Sequence, residues 1–226
     1  MNAVFIPARA RSKGLPHKNR RIVGGNTLIS RCVETCRKVT PEIYVCTDDP
    51  WIENDLANSG VNLVPRPKLS CEDDAIVTQV IRWMYYYIDR EWEKIAFVQC
   101  TAPLMTSSDL QAGFDALTDD IDLVVSVVPY HGIIFNEESE LINFNWRQSV
   151  NRQERELQYE SAGAMFVFRP EHLDMALHDG KIGLVLADHP YKCDIDSEED
   201  LCYADMVIRG ECPRPTKPVC ASDTVC

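Results

Sequence analysis

Short apolar runs alternate along the chain with segments whose apolar residues recur every three or four positions. The runs predict strands at 3–6, 42–47, 61–64, 95–99, 123–128, 164–168 and 183–186. The periodic segments predict helices at 28–39, 50–59, 75–89, 108–117, 170–178 and 196–208. In the helix at 75–89, the predicted buried face contains Ile76, Val80, Met84 and Tyr87. Strands that alternate with helices in this way indicate a mostly parallel sheet covered by helices.

Two segments lie outside this alternation. Residues 129–158 are polar and irregular, and a run of that length is usually functional or an interface. Its aromatic side chains include Tyr130, Phe135, Phe144 and Trp146. Residues 210–226 contain three prolines and are typical of a loose tail. We therefore predict one domain over 1–209, with a projecting element at 129–158, followed by a tail at 210–226.

The composition restricts the class of protein. A chain of 226 residues with 45% hydrophobic content can form one α/β domain with a core. Its formal net charge of −12 argues against a nucleic-acid partner, which would need a basic surface. No apolar run approaches the roughly 20 residues of a membrane span, and no signal peptide is apparent. We therefore expect a cytoplasmic protein with no membrane partner.

The ten cysteines do not have the spacing of a metal site. Cys32 and Cys36 are not a C-x-x-C pair, and no paired C-x-x-C motif occurs. Most of the cysteines fall within apolar elements, as Cys46 and Cys100 do, and are interpreted as small core residues in a reducing compartment. The tail region holds Cys212, Cys220 and Cys226, which could oxidise artefactually.

The loop after the first predicted strand has the composition of a phosphate-binding loop. Residues 6–19 have the sequence I-P-A-R-A-R-S-K-G-L-P-H-K-N. Gly14 lets the backbone approach a ligand closely, and backbone N–H groups in such a loop can bind anionic oxygens. Arg9, Lys13 and Lys18 add positive charge within an acidic chain. The spacings of a Walker loop and of a dinucleotide-binding loop are absent, and a solvated basic loop is the alternative.

Polar residues also follow later strands of the predicted sheet. The step at 47–49, Thr-Asp-Asp, ends one strand, and its last residue is also suited to cap the next helix. Arg66 follows the short strand, and its planar fork can stack on a base or donate two hydrogen bonds to it. Gln99 and Thr101 end a buried strand, where polar side chains are expected to face a ligand rather than a core. Ligands of such sheets bind beside the carboxyl ends of the strands.

Two carboxylates near the end of the predicted domain are candidates for a metal site. Asp194 and Asp196 alternate on an extended segment, so their side chains point to one side and can converge on one cation. Mg²⁺ prefers a few carboxylates together with phosphate oxygens. The alternative is that Asp196 only caps the last helix, with Glu199 in the place of a capping box.

Taken together, these motifs resemble those of the CMP-sialic acid synthetase family, the cytidylyltransferases that activate acidic nonulosonate sugars. The loop is similar to the signature I-P-A-R-x-x-S-K-G-x-P-x-K-N, and residues 98–104 are similar to the segment L-Q-x-T-[SA]-P-L. Residues 152–153 resemble the family's R-Q step, and residues 194–196 resemble its D-I-D motif. The resemblance extends over residues 3–209.

The resemblance implies a three-layer α/β/α nucleotidyltransferase fold of Rossmann-like type, with a small projecting dimerisation element. The implied reaction joins CTP to an acidic sugar and releases pyrophosphate, with Mg²⁺ as cofactor and a homodimer as the assembly. The implied catalytic residues are Arg9, Lys13, Lys18 and Asp194, and the implied metal ligands are Asp194 and Asp196. The implied substrate-binding residues are Ser12, Gly14, Asn19, Arg66, Gln99, Thr101, Arg152 and Gln153.

Three positions depart from the family pattern, and all concern the sugar side. Met105 stands where many relatives have Arg, and Glu160 stands where some of them have Arg. Ala162 stands where relatives have Asn. The nucleotide-binding motifs are therefore better kept than the sugar-binding ones, and the identity of the sugar stays open. The alternatives are a nucleotidyltransferase for another acceptor, such as a Kdo-like sugar or a polyol phosphate, and a catalytically inactive binding homologue.

Overall fold

The middle layer of the structure is a seven-stranded β-sheet. The computed structural model describes residues 1–12, 14–67, 77–143, 156–173, 180–189 and 192–212. Its strands are β1 (Asn2–Ala8), β2 (Ile22–Val23), β3 (Asn26–Thr27), β4 (Ile43–Thr47), β5 (Asn62–Pro65), β6 (Lys94–Val98), β7 (Leu123–Tyr130), β8 (Gln158–Phe168) and β9 (Ile182–Leu186). Strands β2 and β3 pair with each other as a separate hairpin, and the other strands form the sheet.

The strand directions confirm the expected mostly parallel sheet. The strand order is β5-β4-β1-β6-β8-β7-β9. Neighbouring strands are parallel except at β8, which runs antiparallel to both β6 and β7. Because β1, β4, β5 and β6 run in one direction, the loops that follow them meet at one edge of the sheet.

Helices cover both faces of the sheet and complete the three layers. They are α1 (Leu28–Arg37), α2 (Pro50–Leu56), α3 (Val77–Ile88), α4 (Ser107–Ala116) and α5 (Glu198–Arg209). Alternate residues of β1 divide between two cores. Val4 and Ile6 belong to the core that also contains buried residues of α1, α2 and α4. Phe5 belongs to the opposite core, which contains the buried residues of α3.

Two helices begin at positions that differ from the sequence prediction. Helix α4 is capped by Thr106 in a reciprocal capping box with Asp109 and begins at Ser107, one residue before the predicted start at 108. Helix α5 is capped by Ser197 in a capping box with Asp200. The alternative role of Asp196 as the cap of this helix is therefore wrong.

The buried face of α3 and the start of β8 differ from the sequence prediction. In α3, Val80 and Met84 are buried together with Ile81, whereas Tyr87 is 50% exposed. The prediction that Tyr87 lies on the buried face is therefore wrong, and Ile76 lies outside the described residues. Strand β8 begins at Gln158, ahead of the predicted start at 164.

The predicted helix at 170–178 lies only partly within the described residues. Pro170–His172 form a short 3-10 helix, and residues 174–179 lie outside the described ranges.

Cys46 and Cys100 are buried, as predicted for core residues. Within the ranges that the structure describes, no helix combines the length and apolar character needed to cross a membrane.

Candidate functional site

A cavity of about 280 Å³ opens at the edge of the sheet where the parallel strands end. Predicted site residues from distant parts of the chain line it together: Arg9, Ser12, Lys18, Asn19, Arg66, Gln99, Thr101, Asp194 and Asp196. Lys13, Arg152 and Gln153 lie outside the described residues. The structure therefore brings together the nucleotide side of the predicted site, and the roles of these residues stay predictions.

The end of β4 fixes the start of the loop after β1. The Thr47 hydroxyl donates to the Ala8 carbonyl at 2.6 Å, and the Ala10 backbone N–H donates to the Asp48 carboxylate at 2.8 Å. Both contacts join strand ends that are neighbours in the sheet. The Thr-Asp-Asp step at 47–49 thus anchors the start of the predicted phosphate loop to the end of the neighbouring strand β4.

The far end of this loop is held by an ion pair that no motif in the sequence indicates. Arg20 donates from Nε to Asp49 Oδ2 at 2.7 Å and makes a second contact from Nη2 to Oδ1. Asp49 is only 1% exposed, and its carboxylate also accepts from the Trp51 backbone N–H as the cap of α2. The Arg20 guanidinium lies 5.5 Å from the centre of the Trp51 ring, within the range of a cation–π contact.

Asn19 connects the start of the loop to the segment that follows β6. Its amide nitrogen donates to the Arg9 carbonyl at 3.0 Å, and its amide oxygen accepts from the Cys100 thiol at 3.2 Å. Burial raises the pKa of Cys100 to about 12, so the thiol stays neutral and keeps its proton for this bond. Asn19 therefore fixes the loop, and its implied role in substrate binding stays a prediction.

The wall around Arg66 combines one cationic side chain with apolar ones. The backbone N–H of Arg66 donates to the Thr47 carbonyl at 2.9 Å, which places the residue directly beyond β5. The same cavity is lined by Val80 of α3 and by Phe97 of β6. A flat, partly apolar ring with polar edges, such as a nucleobase, suits a wall of this kind.

The segment that carries the two carboxylates forms the opposite wall. The Ile195 backbone N–H donates to the Thr101 carbonyl at 2.9 Å, which joins this segment to the loop after β6. Cys193 and Ile195 are buried, whereas Asp194 and Asp196 line the cavity. The alternation expected for an extended segment is therefore present, and both carboxylates face the same side.

Two glycines allow this segment to approach its neighbours closely. Gly163 has φ +69°, and a Cβ built there would lie 3.2 Å from Asp194 Oδ2. Gly163 lies at an irregularity of β8, where the pairing with β7 passes from Phe166 to Ser161 within two residues of β7. A Cβ on Gly14 would lie 2.6 Å from the Asp196 carbonyl, so only glycine fits against this backbone.

The carboxylates fit a magnesium ion that is bound together with phosphate. Among the described residues, no group of three or more His, Cys, Asp or Glu side chains is arranged to hold a metal ion. Asp194 and Asp196 alone would leave most coordination positions to phosphate oxygens and water, which is the arrangement that Mg²⁺ prefers. The donor set therefore suits a cation that enters with a nucleotide.

Two of the three departures from the family pattern occupy a small apolar cluster. Ala162 is buried against Ala102, Val128 and Ala164, and Met105 packs against the same group. Glu160 lies on the part of β8 that pairs only with β7, opposite Val128. At positions 105 and 162, this chain therefore presents apolar packing rather than polar contacts.

Comparisons with known proteins give a family match and curated relatives. A family model described as "Cytidylyltransferase" matches residues 3–207. An N-acylneuraminate cytidylyltransferase of Streptococcus agalactiae serotype V is 26% identical over 179 residues, which is 74% of this chain and 43% of that protein. A 3-deoxy-manno-octulosonate cytidylyltransferase 2 of Hydrogenovibrio crunogenus is 30% identical over 111 residues, or 48% of this chain and 44% of that protein. The chain thus spans less than half the length of these curated relatives.

Two solved structures share the fold. The structure of CMP:2-keto-3-deoxy-manno-octonic acid synthetase complexed with CTP has a TM-score of 0.69 at 17% identity, and the match covers 93% of this chain and 99% of the other. The 4-diphosphocytidyl-2C-methyl-D-erythritol synthase from Anaerococcus prevotii has a TM-score of 0.67 at 14% identity, with coverage of 92% and 96%. At these identities the likeness shows the three-layer fold.

Proposed function

Because the chain belongs to the cytidylyltransferase family, we propose that it joins CTP to an acidic nonulosonate sugar and releases pyrophosphate. The observation that carries this proposal is the cavity in which the basic loop, Arg66 and two carboxylates meet. A triphosphate needs cationic side chains and backbone N–H groups, and a base needs a partly apolar wall with a directed donor. The lining residues of the cavity supply both in one place.

The loop after β1 would hold the triphosphate. Arg9, Ser12 and Lys18 line the cavity, and Lys13, outside the described residues, would add a further charge. The anomeric hydroxyl of the sugar would attack the α-phosphate in line with the departing pyrophosphate. Catalysis would then consist of positioning and charge stabilisation, because no covalent step on the protein is needed.

Asp194 and Asp196 would hold Mg²⁺ against the phosphates. When bound, such an ion acts as a Lewis acid that neutralises charge developing on phosphoryl oxygens. The protein supplies the two carboxylates on a segment that is fixed to the Thr101 carbonyl. These residues would thereby orient the nucleotide toward the sugar.

The acceptor is proposed from the relatives, and two sugar classes are in competition. A curated relative acts on an N-acylneuraminate, which favours a sialic-acid-like substrate. The other curated relative acts on 3-deoxy-manno-octulosonate, which keeps a Kdo-like sugar as the second candidate. Both are acidic sugars, so the reaction class is the same. A polyol phosphate acceptor and an inactive binding homologue are further alternatives that turnover measurements distinguish.

The first test measures pyrophosphate release from CTP, UTP, ATP and GTP with sialic, legionaminic, pseudaminic and Kdo acids. We expect CTP to exceed both purine triphosphates by roughly 100-fold in kcat/KM, because a site built to bond one base edge leaves groups unpaired with another. Arg66→Ala should reduce this preference for CTP. Equal turnover of CTP and a purine triphosphate would remove the assignment, and release with none of the four sugars would favour another acceptor.

The assembly is proposed to be a homodimer formed through the projecting element. Its described part contains a hairpin in which Phe135 pairs with Leu141, and three apolar side chains are 39%, 53% and 62% exposed: Ile134, Phe135 and Ile142. Phe144 and Trp146 lie outside the described residues. A second subunit would cover such side chains, and a two-fold dimer is the commonest arrangement. Arg152 would then lie near the sugar pocket of the partner.

Light scattering at micromolar concentration tests this assembly. We expect a molar mass of twice 25.7 kDa for the parent chain and the monomer mass for Phe135→Glu, because a charge would be buried in the interface. Ile182→Glu is the control, since this exposed residue pairs with Leu123 at the opposite end of β7. A fully active parent with the monomer mass would show that the element folds back on its own subunit.

A further inference from the structure

An ion pair joins the two charged walls of the cavity. Lys18 Nζ lies 2.8 Å from Asp196 Oδ1, although the residues are 178 positions apart in the sequence. The Lys18 side chain is 15% exposed and that of Asp196 is 74% exposed. The side chain proposed to bind phosphate and a side chain proposed to bind the cation are therefore each other's partners in this structure.

We propose that the Lys18–Asp196 pair couples binding of the nucleoside triphosphate to binding of a divalent cation, so that neither ligand alone occupies the site well. This inference rests on the proposed function, because it assigns a phosphate to Lys18 and a cation to Asp196. It adds a linkage between the two ligands that does not follow from the site residues taken one at a time.

The physical reason is an exchange of partners. A triphosphate that takes Lys18 in the absence of a cation leaves the Asp196 carboxylate uncompensated beside phosphate oxygens. A cation that takes Asp196 in the absence of phosphate leaves the Lys18 ammonium beside a second positive charge. When both ligands arrive, one ion pair is replaced by two favourable contacts, and each ligand raises the affinity of the other by the same factor.

The backbone around Asp196 limits the exchange to side chains. The Asp196 backbone N–H donates to Asp200 Oδ2 at 3.0 Å, and the carbonyl of Asp196 packs directly against Gly14. Ile195 is bonded to Thr101. The main chain is thus held on several sides, and a change of partner needs only rotation of the Lys18 and Asp196 side chains.

A double-mutant cycle measures the coupling without any turnover. Binding of CTP in the presence of EDTA is measured by titration calorimetry for the parent, Lys18→Met, Asp196→Asn and the double variant. In both backgrounds, Asp196→Asn removes the same repulsion from phosphate. Only in the Lys18 background does it also release the ammonium, so the difference between the two gains reports the ion pair.

We expect Asp196→Asn to increase metal-free CTP affinity about fivefold more in the Lys18 background than in the Met background, the upper end for a partly exposed ion pair. Asp194→Asn is the control, because its effect should be the same in both backgrounds. With Mg²⁺ present, the order reverses and the parent binds CTP more tightly than Asp196→Asn.

The outcomes separate the linkage from the proposed function. Equal gains from Asp196→Asn in both backgrounds, with normal binding of CTP by the parent in Mg²⁺, overturn the linkage and leave the proposed function standing. Absence of CTP binding by the parent in Mg²⁺ overturns the proposed function, and with it the linkage. A gain that depends on Lys18 together with the reversal in Mg²⁺ supports both.

Discussion

Asp194→Asn is expected to lower the rate of pyrophosphate release from CTP by roughly 100-fold or more, because a Lewis-acid cation contributes several kcal/mol to transition-state charge stabilisation. The Asn side chain has nearly the same shape, so the folded structure should persist. Asp194 lines the cavity on a segment fixed to the loop after β6, so its carboxylate would lie beside a phosphate bound in the proposed site. Chelation of Mg²⁺ should depress the parent in the same way.

The matched control for this substitution is Asp120→Asn. Asp120 lies before β7, at the edge of the sheet opposite the cavity, and pairs with Lys181 at 2.7 Å. The hydrogen bond from Lys181 holds the pKa of Asp120 at about 2, so this residue is also a carboxylate at neutral pH. Loss of one surface carboxylate should leave turnover within about twofold of the parent. Near-parent turnover of Asp194→Asn would show that this carboxylate has no part in the reaction.

Arg20→Ala is expected to lower the free energy of unfolding by about 3 kcal/mol, because it leaves the buried Asp49 carboxylate without its guanidinium partner. The same change releases the far end of the loop after β1 from the end of β4. Urea unfolding followed by circular dichroism gives the stability, and the KM for CTP gives the effect on the loop. In this variant the free energy of unfolding should fall and the KM for CTP should rise.

The adjacent arginine supplies the control. Arg21 contacts Glu198 at 2.5 Å, and Glu198 is mostly exposed. Arg21→Ala should therefore cost less than about 1 kcal/mol. If the two variants lose the same stability, the contact between Arg20 and Asp49 stabilises the fold no more than the exposed pair does. The loop must then be held by Asn19 and the 47–49 step alone.

The strands of the sheet could be predicted closely where both faces are buried. Every residue of β4 is buried, so its apolar run is unbroken, and β6 is similar. The first part of β8 was missed because Gln158, Glu160 and Ser161 interrupt the apolar pattern. This part of the strand pairs with β7 only. Its antiparallel direction has no local signal at all.

The same contrast applies to the site. The site residues at strand ends could be predicted because polar side chains directly after an apolar run form a local sequence pattern. In the structure, these side chains line the cavity. Arg20 and Asp49 were not paired in advance, because they are 29 positions apart and nothing nearby in sequence identifies the partner of either charge. The positive φ of Gly163 depends on an irregularity in strand pairing, which is likewise a property of the tertiary structure.

The ion pair between Lys18 and Asp196 also has a consequence for biosynthesis. The two residues are separated by most of the domain, and Arg21 and Glu198 are 177 positions apart. A nascent chain therefore displays its basic loop long before the ribosome has made the acidic wall that neutralises it. The cavity that we propose for nucleotide can be complete only after residue 196 has left the exit tunnel.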